Sequence, residues 1–421
     1  MPRSRRYNRV MSKTALVRPF AALRPTAEHA AAVIAPPYDV VNAEEARALA
    51  RGRPESFLHI SRPEIDLPPG SSPYSDQAYA QAASSWARLI GASTLVRDDA
   101  PSFYVYRMVM GGRTQTGVAF VGSVSAYEQH RIRRHELTRQ DKENDRVRNI
   151  ATLNAQTGPV VLAYRANEAI GSLIRTVTTE PPLFAVTGPN DVLHTVWRVA
   201  TPANIAEFAA AFDALDALYI ADGHHRSAAA ARVAAARRGR TDASHEFFLA
   251  VAFPHDELRI LDYNRVIRDL QGLTTDAFLA RVRESFRVTE RPTRVAPTQT
   301  ETFGMYLAGR WYELTIHTAL VPRADPVASL DVSLLQDRLL GPVLGIGDPR
   351  TDARIDFVGG VRGLAELERR VQNGSAAVAF ALHPTSMEQL MAVADAGKLM
   401  PPKSTWFEPK LADGLLSHVL D

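Results

Sequence analysis

Apolar residues recur along this chain with two periods. Over 75–93, SDQAYAQAASSWARLIGAS, they return every three or four positions, and the spacing predicts an amphipathic helix. Over 102–128 they alternate in twos on either side of Gly111-Gly112, which predicts a β-hairpin. PVVLAY (159–164) is a short continuous apolar run and predicts a buried strand. Residues 166–200 read as a helix and two strands, 203–215 as a helix, and 245–270 as two short strands about Pro254. Further on, helices are expected at 274–286, 331–340 and 384–397, and strands near 302–317 and 376–382. Towards the N-terminus, AAVIAPPYDVV (31–41) reads as a short buried strand ending in a Pro-Pro turn. A helix follows, with Asn42 as its N-cap, acids in its first turn and Gly52 as its stop. SFLHISRPEID (56–66) reads as a strand that runs into a proline-rich loop. GIGDPR (345–350) reads as a turn, and MPPKSTWFEPK (400–410) holds too much proline for regular structure.

Strands and helices are interleaved without a steady βαβ rhythm. That favours an α+β architecture with a mixed sheet over a doubly wound parallel one. The 421 residues suffice for two or three domains. With 46% hydrophobic and 23% charged residues the composition is that of a protein with a real core. No apolar run approaches membrane-spanning length, so no membrane partner is expected and a cytoplasmic location is. The net charge of +3 implies no strong whole-chain field, and no nucleic-acid partner is expected from it. The chain has no cysteine, which excludes thiolate catalysis, disulfides and cysteine-bound metal clusters. Residues 1–10 carry Arg3, Arg5, Arg6 and Arg9 and read as a disordered basic tail.

The densest chemistry lies in YIADGHHRSAAAA (219–231), where an acid, a glycine, two histidines and an arginine separate an apolar run from a run of alanines. The pattern reads as a strand end, a tight turn at Gly223 and a helix beginning about Ser227. First-turn N–H groups have no intrahelical acceptor and the helix dipole places positive charge there, so a phosphate fits such a turn. His224, His225 and Arg226 add side-chain donors, and Arg226 can grip two phosphate oxygens at once. Asp222 would repel a bare phosphate; it makes sense as a Mg2+ ligand, as an orienter of histidine or as a base on a hydroxyl.

APPYDVV, FLHISRPEID, HELTRQDKENDR, YIADGHHRSAAA, FLAVAFPHDELRILDYNRVI and MPPKSTWFEPK together resemble the domain-of-unknown-function family 1015, over nearly the whole chain from Met11. That family is similar to the ParB/sulfiredoxin superfamily, whose phosphate turn sits at a helix N-terminus. Free serine kinases of that superfamily carry a similar Asp-Gly-His-His-Arg turn. The resemblance implies a nucleotide, where the residues alone imply phosphate. It also implies a ParB/sulfiredoxin-like nucleotide-binding core over 11–270, with an inserted hairpin and lid, and a separate C-terminal α+β domain over 271–421. Sulfiredoxin chemistry needs a cysteine where His224 stands and is therefore excluded; a ParB-type helix-turn-helix is not recognisable.

Other segments offer further site residues. Asp39, after the rigid Pro36-Pro37, is a base or metal-ligand candidate, or else a helix-entry cap. His59 and Arg62, with Glu64 and Asp66, form either a substrate loop or a solvated polar one. Residues 135–146 read as a helix that carries His135, Glu136, Lys142 and Arg146, with Lys142 and Arg146 on one face as a lid over polyphosphate. Lys403 and Ser404 lie in an irregular donor-rich loop. The expected activity is a Mg2+-dependent small-molecule kinase that uses ATP or ADP, with free L-serine as the acceptor the resemblance implies. The catalytic candidates are Asp39, Asp222, His224 and His225. The nucleotide candidates are Gly223, His224, His225, Arg226, Ser227, Lys142 and Arg146. The substrate candidates are His59, Arg62, Glu136, Lys403 and Ser404, and Asp222 is the metal ligand. A phosphoester hydrolase, or a non-catalytic nucleotide-binding or DNA-associated regulator, are the alternatives.

Overall fold

The computed structural model describes residues 15–240 and 243–421; the basic tail predicted for residues 1–10 lies outside them. The fold is α+β. Its largest sheet has nine strands and is mixed. From one edge it runs Ile132–Arg133, Leu218–Asp222, Val160–Tyr164, Phe247–Pro254, Arg113–Ser123, Phe103–Met110, Leu193–Val199, Phe184–Thr187, with Val17–Arg18 added against Arg113–Ser123. Leu218–Asp222 is parallel to Ile132–Arg133 and Val160–Tyr164 is parallel to Phe247–Pro254, while the other pairings are antiparallel. A second sheet of six antiparallel strands is built from residues 263–382 with Phe380 near its middle.

Side-chain alternation shows why the large sheet is a central layer. Phe103 and Val105 face one core with Leu218, Ile220, Val160 and Leu162, and the helices Glu168–Val177 and Pro202–Asp213 cover that face through Ile170, Ile174, Phe208 and Phe212. Tyr104 and Tyr106 face the other way with Tyr219, Ala221, Val161 and Ala163, into a core shared with Phe303, Leu314, Phe380 and Leu382 of the second sheet. Successive strand residues point to opposite faces, so each strand buries both its sets.

The segment 406–421 returns to the first part of the molecule. Trp406–Glu408 pairs with Arg259–Leu261, and Ser417–Val419 inserts between Ala22–Pro25 and Ala155–Gln156 in a four-stranded sheet. Leu415, Leu416 and Leu420 are buried there. Leu420 packs with Ile150, Ala229 and Val233, so it joins the helices Gln140–Leu153 and His224–Ala236.

Three local expectations are corrected. Residues 31–41 contain no strand: the alanine-rich run begins upstream, Ala30 N–H bonds Thr26 O, and Ala30–Val33 is helical, as alanine's propensity favours. Residues 56–66 form a helical turn, Leu58–Ser61, and a 3-10 turn, Pro63–Asp66. Phe57, Leu58, Ile60 and Ser61 are all buried, so the apparent alternation does not separate inside from outside. The helix expected from residue 135 begins only at Gln140, after Arg139 as N-cap, and leaves His135 and Glu136 in the preceding loop.

Truncation of Leu420 tests the tie between the C-terminus and these two helices. Leu420→Ala is expected to lower stability by about 2–5 kcal/mol. Urea denaturation reads this, and an unchanged midpoint would show that the contact does not hold the helices together.

Candidate functional site

The helix that carries the phosphate turn is His224–Ala236, three residues longer at its start than the pattern predicts, with Gly223 as its N-cap. Gly223 has φ +96, a conformation that costs other residues strain, and a Cβ there would lie 3.3 Å from Val160 Cα. The amides of Arg226 and Ser227 both close on Gly223 O, at 2.9 and 3.1 Å. Ser227, fully buried, donates its hydroxyl to His224 O at 3.0 Å. Those bonds lock the first turn and leave the amides of His224 and His225 ahead of any intrahelical acceptor.

Arg226 points back across the turn into the protein. Its Nη1 donates to Pro159 O at 2.8 Å, and its Nη2 lies 3.8 Å from Asp39 Oδ1. The Tyr38 ring lies under its guanidinium at 5.4 Å and under that of Arg146 at 3.9 Å. Asp413 approaches the same place: a Cβ on Gly158 would meet Arg226 Nε at 3.2 Å and Asp413 Oδ1 at 3.3 Å, so glycine at 158 makes room for both. Ala35 and Asp413 exchange backbone hydrogen bonds, which sets the Pro36-Pro37 turn and Asp39 beside the C-terminal segment. A cavity of about 30 Å³, room for about one water, is lined by Tyr38, Arg146, Gln156, Gly158, Arg226 and Asp413.

The two carboxylates at the turn differ in kind. Asp222 accepts from Lys410 Nζ at 2.9 Å and from the Gly223 amide at 2.9 Å. Burial opposes its ionisation, but Lys410 and Arg226 outweigh that and hold its carboxyl well below the ordinary range. Asp39 has its side chain half exposed and a long pairing with Arg226. Burial pushes the Asp413 carboxyl up to about 6, against the pull of Arg226 and Arg146.

The histidines pack against the loop that precedes Gln140. His225 Nε2 accepts from the Arg139 amide at 3.0 Å. His224 is buried against the edge of the His135 ring, with centroids 4.5 Å apart, and lies 3.9 Å from Glu136. Burial keeps both His224 and His135 neutral, with His135 at about 4. Burial raises the Glu136 carboxyl, and Lys403 opposes that rise, so Lys403 stands close enough to act on it.

The remaining predicted residues are dispersed. Arg146 lines the cavity and is fixed by Asp145 at 2.7 Å, whereas Lys142, one turn earlier, donates to Tyr74 Oη at 2.9 Å. His59 is bound to Asp66 and Arg53 O, in a surface network that includes Gln81. Arg62 pairs with Glu64 and donates to Tyr38 O at 3.0 Å, so it supports the Tyr38-Asp39 turn from behind. Lys403 lies over the Tyr263 ring and accepts from Arg265 through its carbonyl. Ser404 is buried and donates to Pro401 O. Sequence reasoning missed Tyr38, Lys410 and Asp413 as site residues. Lys410 was within reach, since it closes the MPPKSTWFEPK segment; Asp413 carries no local signal.

Two substitutions test this geometry. Gly223→Val is expected to strain the turn by about 1–3 kcal/mol and to drive a side chain into Val160, with loss of anion binding measured by calorimetry. Normal affinity in a folded Val variant would show that the turn tolerates a side chain. Asp413 gives a pH signature. Its folded-state pKa of about 6 lies above the ordinary carboxylate value of 3.8, so its neutral form stabilises the fold at low pH and that contribution is lost as pH rises from about 4 to 6. The stability of the wild type relative to Asp413→Asn should therefore fall across that window by about 1–3 kcal/mol. Parallel stability curves would show that Asp413 is not held protonated.

Among curated proteins, none matches this chain. Solved structures with some similarity include a free serine kinase in complex with AMP, at 12% identity and TM-score 0.33, covering 69% of this chain and 86% of that one. A conserved hypothetical protein from Pyrococcus furiosus has 12% identity and TM-score 0.35, covering 71% and 94%. SbnI from Staphylococcus aureus, truncated at its C-terminus, has 10% identity and TM-score 0.36, covering 70% and 85%. At the level of sequence families, the model described as Protein of unknown function (DUF1015) matches residues 17–333, and the chain belongs to that family.

Proposed function

We propose that the protein is a nucleotide-dependent phosphotransferase, which moves a phosphoryl group from ATP or ADP to the hydroxyl of a small molecule. The observation that carries this reading is the convergence on Arg226. A helix N-terminus with a left-handed glycine and a buried guanidinium stand next to Asp39, a carboxylate that is open to solvent. An anion site and a loosely held carboxylate base beside it are the two parts that phosphoryl transfer asks of a protein.

The nucleotide fits the residues present. The amides of His224 and His225 lie at the positive end of the helix dipole without an intrahelical acceptor, and Arg226 has a planar fork. Mg2+ accompanying the nucleotide meets one open carboxylate, Asp39. Asp222 would serve it only after Lys410 releases Oδ2. When bound, such an ion neutralises phosphate charge.

In the reaction the hydroxyl oxygen of the acceptor forms a bond to the terminal phosphorus, and the bond from that phosphorus to its bridging oxygen breaks. Asp39 takes the hydroxyl proton. Asp222 is the weaker base, because both its oxygens are engaged and its carboxyl is held far down in pKa. Its work is to hold Lys410 and the turn. Arg226 and the first-turn amides hold the phosphates as charge moves toward the leaving nucleotide. Free L-serine is the acceptor implied by the likeness of the Asp-Gly-His-His-Arg turn to that of free serine kinases. The exposure of Asp39 favours a second reading, in which water takes the acceptor's place. Nucleotide turnover with and without L-serine separates the two.

Arg226→Ala is expected to weaken nucleotide binding tenfold or more, from the loss of charge-assisted bonds worth about 1.5–3 kcal/mol each. Asp39→Asn is expected to keep nucleotide binding within a few-fold and to lower turnover by about 10²–10⁴. Wild-type turnover in Asp39→Asn would remove the base from the scheme. Unchanged nucleotide affinity in a folded Arg226→Ala protein would remove the phosphate site.

A further inference from the structure

Beside the turn, three side chains with metal-binding atoms converge outside the phosphotransfer scheme. One donor atom from each of His135, Glu136 and His224 lies within 4.8 Å of the other two. His224 and Glu136 come to 3.9 Å. His135 is 2% exposed, and among the described residues neither of its ring nitrogens has a hydrogen bond of good geometry, the Ile220 carbonyl being the acceptor in reach. Buried imidazoles in a merely structural role are normally well bonded, so one with at most a single weak partner calls for an explanation. His224 is no better held. The His135 amide approaches its Nε2 only at 3.5 Å, well beyond a good N–H···N distance. Two buried neutral imidazoles edge to face, beside a carboxylate that can turn, are an expensive arrangement for packing alone.

We infer that His135, Glu136 and His224 form a binding site for a divalent first-row transition ion such as Zn2+. Two imidazoles and one carboxylate suit zinc, iron or cobalt, whereas Mg2+ prefers oxygen ligands. A tetrahedral ion with bonds near 2.0–2.2 Å needs donors about 3.3 Å apart. The spacing of 4.8 Å or less must therefore close by roughly 1–1.5 Å, and the Glu136 side chain, 46% exposed, has room to swing in. The Ile220 carbonyl stands near His135, an acceptor of the type that orients a ligating imidazole through its other nitrogen. The field at the site is mixed: Asp222 favours a cation, while Lys403, Lys410 and Arg134 oppose one. Three protein ligands leave a fourth position open for water or for an oxygen of a bound anion. His224 is also the first residue of the turn helix, so an ion here borders the anion site without sharing Arg226 or Asp39.

Metal titration of the tag-free full chain, without nucleotide, tests the site independently of the phosphotransferase reading. After chelator treatment and dialysis, Co2+ is the probe. One equivalent should bind, with visible absorption of low-symmetry coordination, and Zn2+ should displace it while a large excess of Mg2+ should not. Glu136→Gln, at an exposed position that leaves the fold intact by circular dichroism, should weaken Co2+ binding at least tenfold; His135→Gln should do the same. Absence of stoichiometric Co2+ binding would overturn the inference. So would binding that persists unchanged in Glu136→Gln and His135→Gln, since the ion would then sit on other histidines, or full displacement by Mg2+.

Discussion

The charge of Arg226 is the constraint around which this molecule is arranged. A guanidinium withdrawn from water costs several kcal/mol unless acids and carbonyls replace the lost hydration. Here the replacements come from three separated places in the chain: Pro159 O, Asp39 and Asp413. None of those segments is near Arg226 in sequence, so the site exists only when they have all folded onto the turn. Tyr38 completes the enclosure with a π-face shared by Arg226 and Arg146. The pair Asp222–Lys410 repeats the device four residues earlier, again with a partner from the C-terminal segment. The last part of the chain is therefore a wall of the site as well as a strand of the fold.

This explains which parts of the site could be read from the sequence. The turn at 219–231 was legible because its chemistry is local: a glycine that permits positive φ, a helix of alanines and donors in the first turn. Asp39 was legible through the rigid prolines before it. Asp413 was not, and Lys410 was marked only by the segment it closes, because their meaning lies in contacts 187 and 188 residues away (413 − 226 and 410 − 222). His135 and Glu136 were noticed but placed on a helix, since 135–146 has helical composition. The chain begins that helix only at Gln140, and the freed loop lets the Arg139 amide reach His225 and His135 reach His224.

The fold was legible in the same uneven way. Long periodic segments such as 75–93, and the hairpin at Gly111-Gly112, form as their spacing predicts. Short apolar stretches at 31–41 and 56–66 were read as strands and fold as helical turns. There tertiary burial, not alternation, sets the pattern, and a run of four or five buried residues carries no period to read.

The same electrostatics bear on how an anion would enter. In the free protein the cations at the turn are already matched: Lys410 by Asp222 at 2.9 Å, and Arg226 by Asp39 and Asp413. The matches are unequal. The Lys410 pair is short and partly buried, whereas the Arg226–Asp39 contact is long, at 3.8 Å, and the Asp39 side chain is half in water. A phosphate that offers two oxygens in the plane of the guanidinium makes shorter, bidentate bonds than Asp39 does, so it competes for Arg226 where Asp39 is weakest. In the proposed reaction, that exchange detaches Asp39 from its cation and leaves its oxygens turned toward the acceptor. Arrival of the nucleotide would thus free the base, while Asp222, held by two bonds of 2.9 Å from Lys410 and the Gly223 amide, would keep the turn in shape.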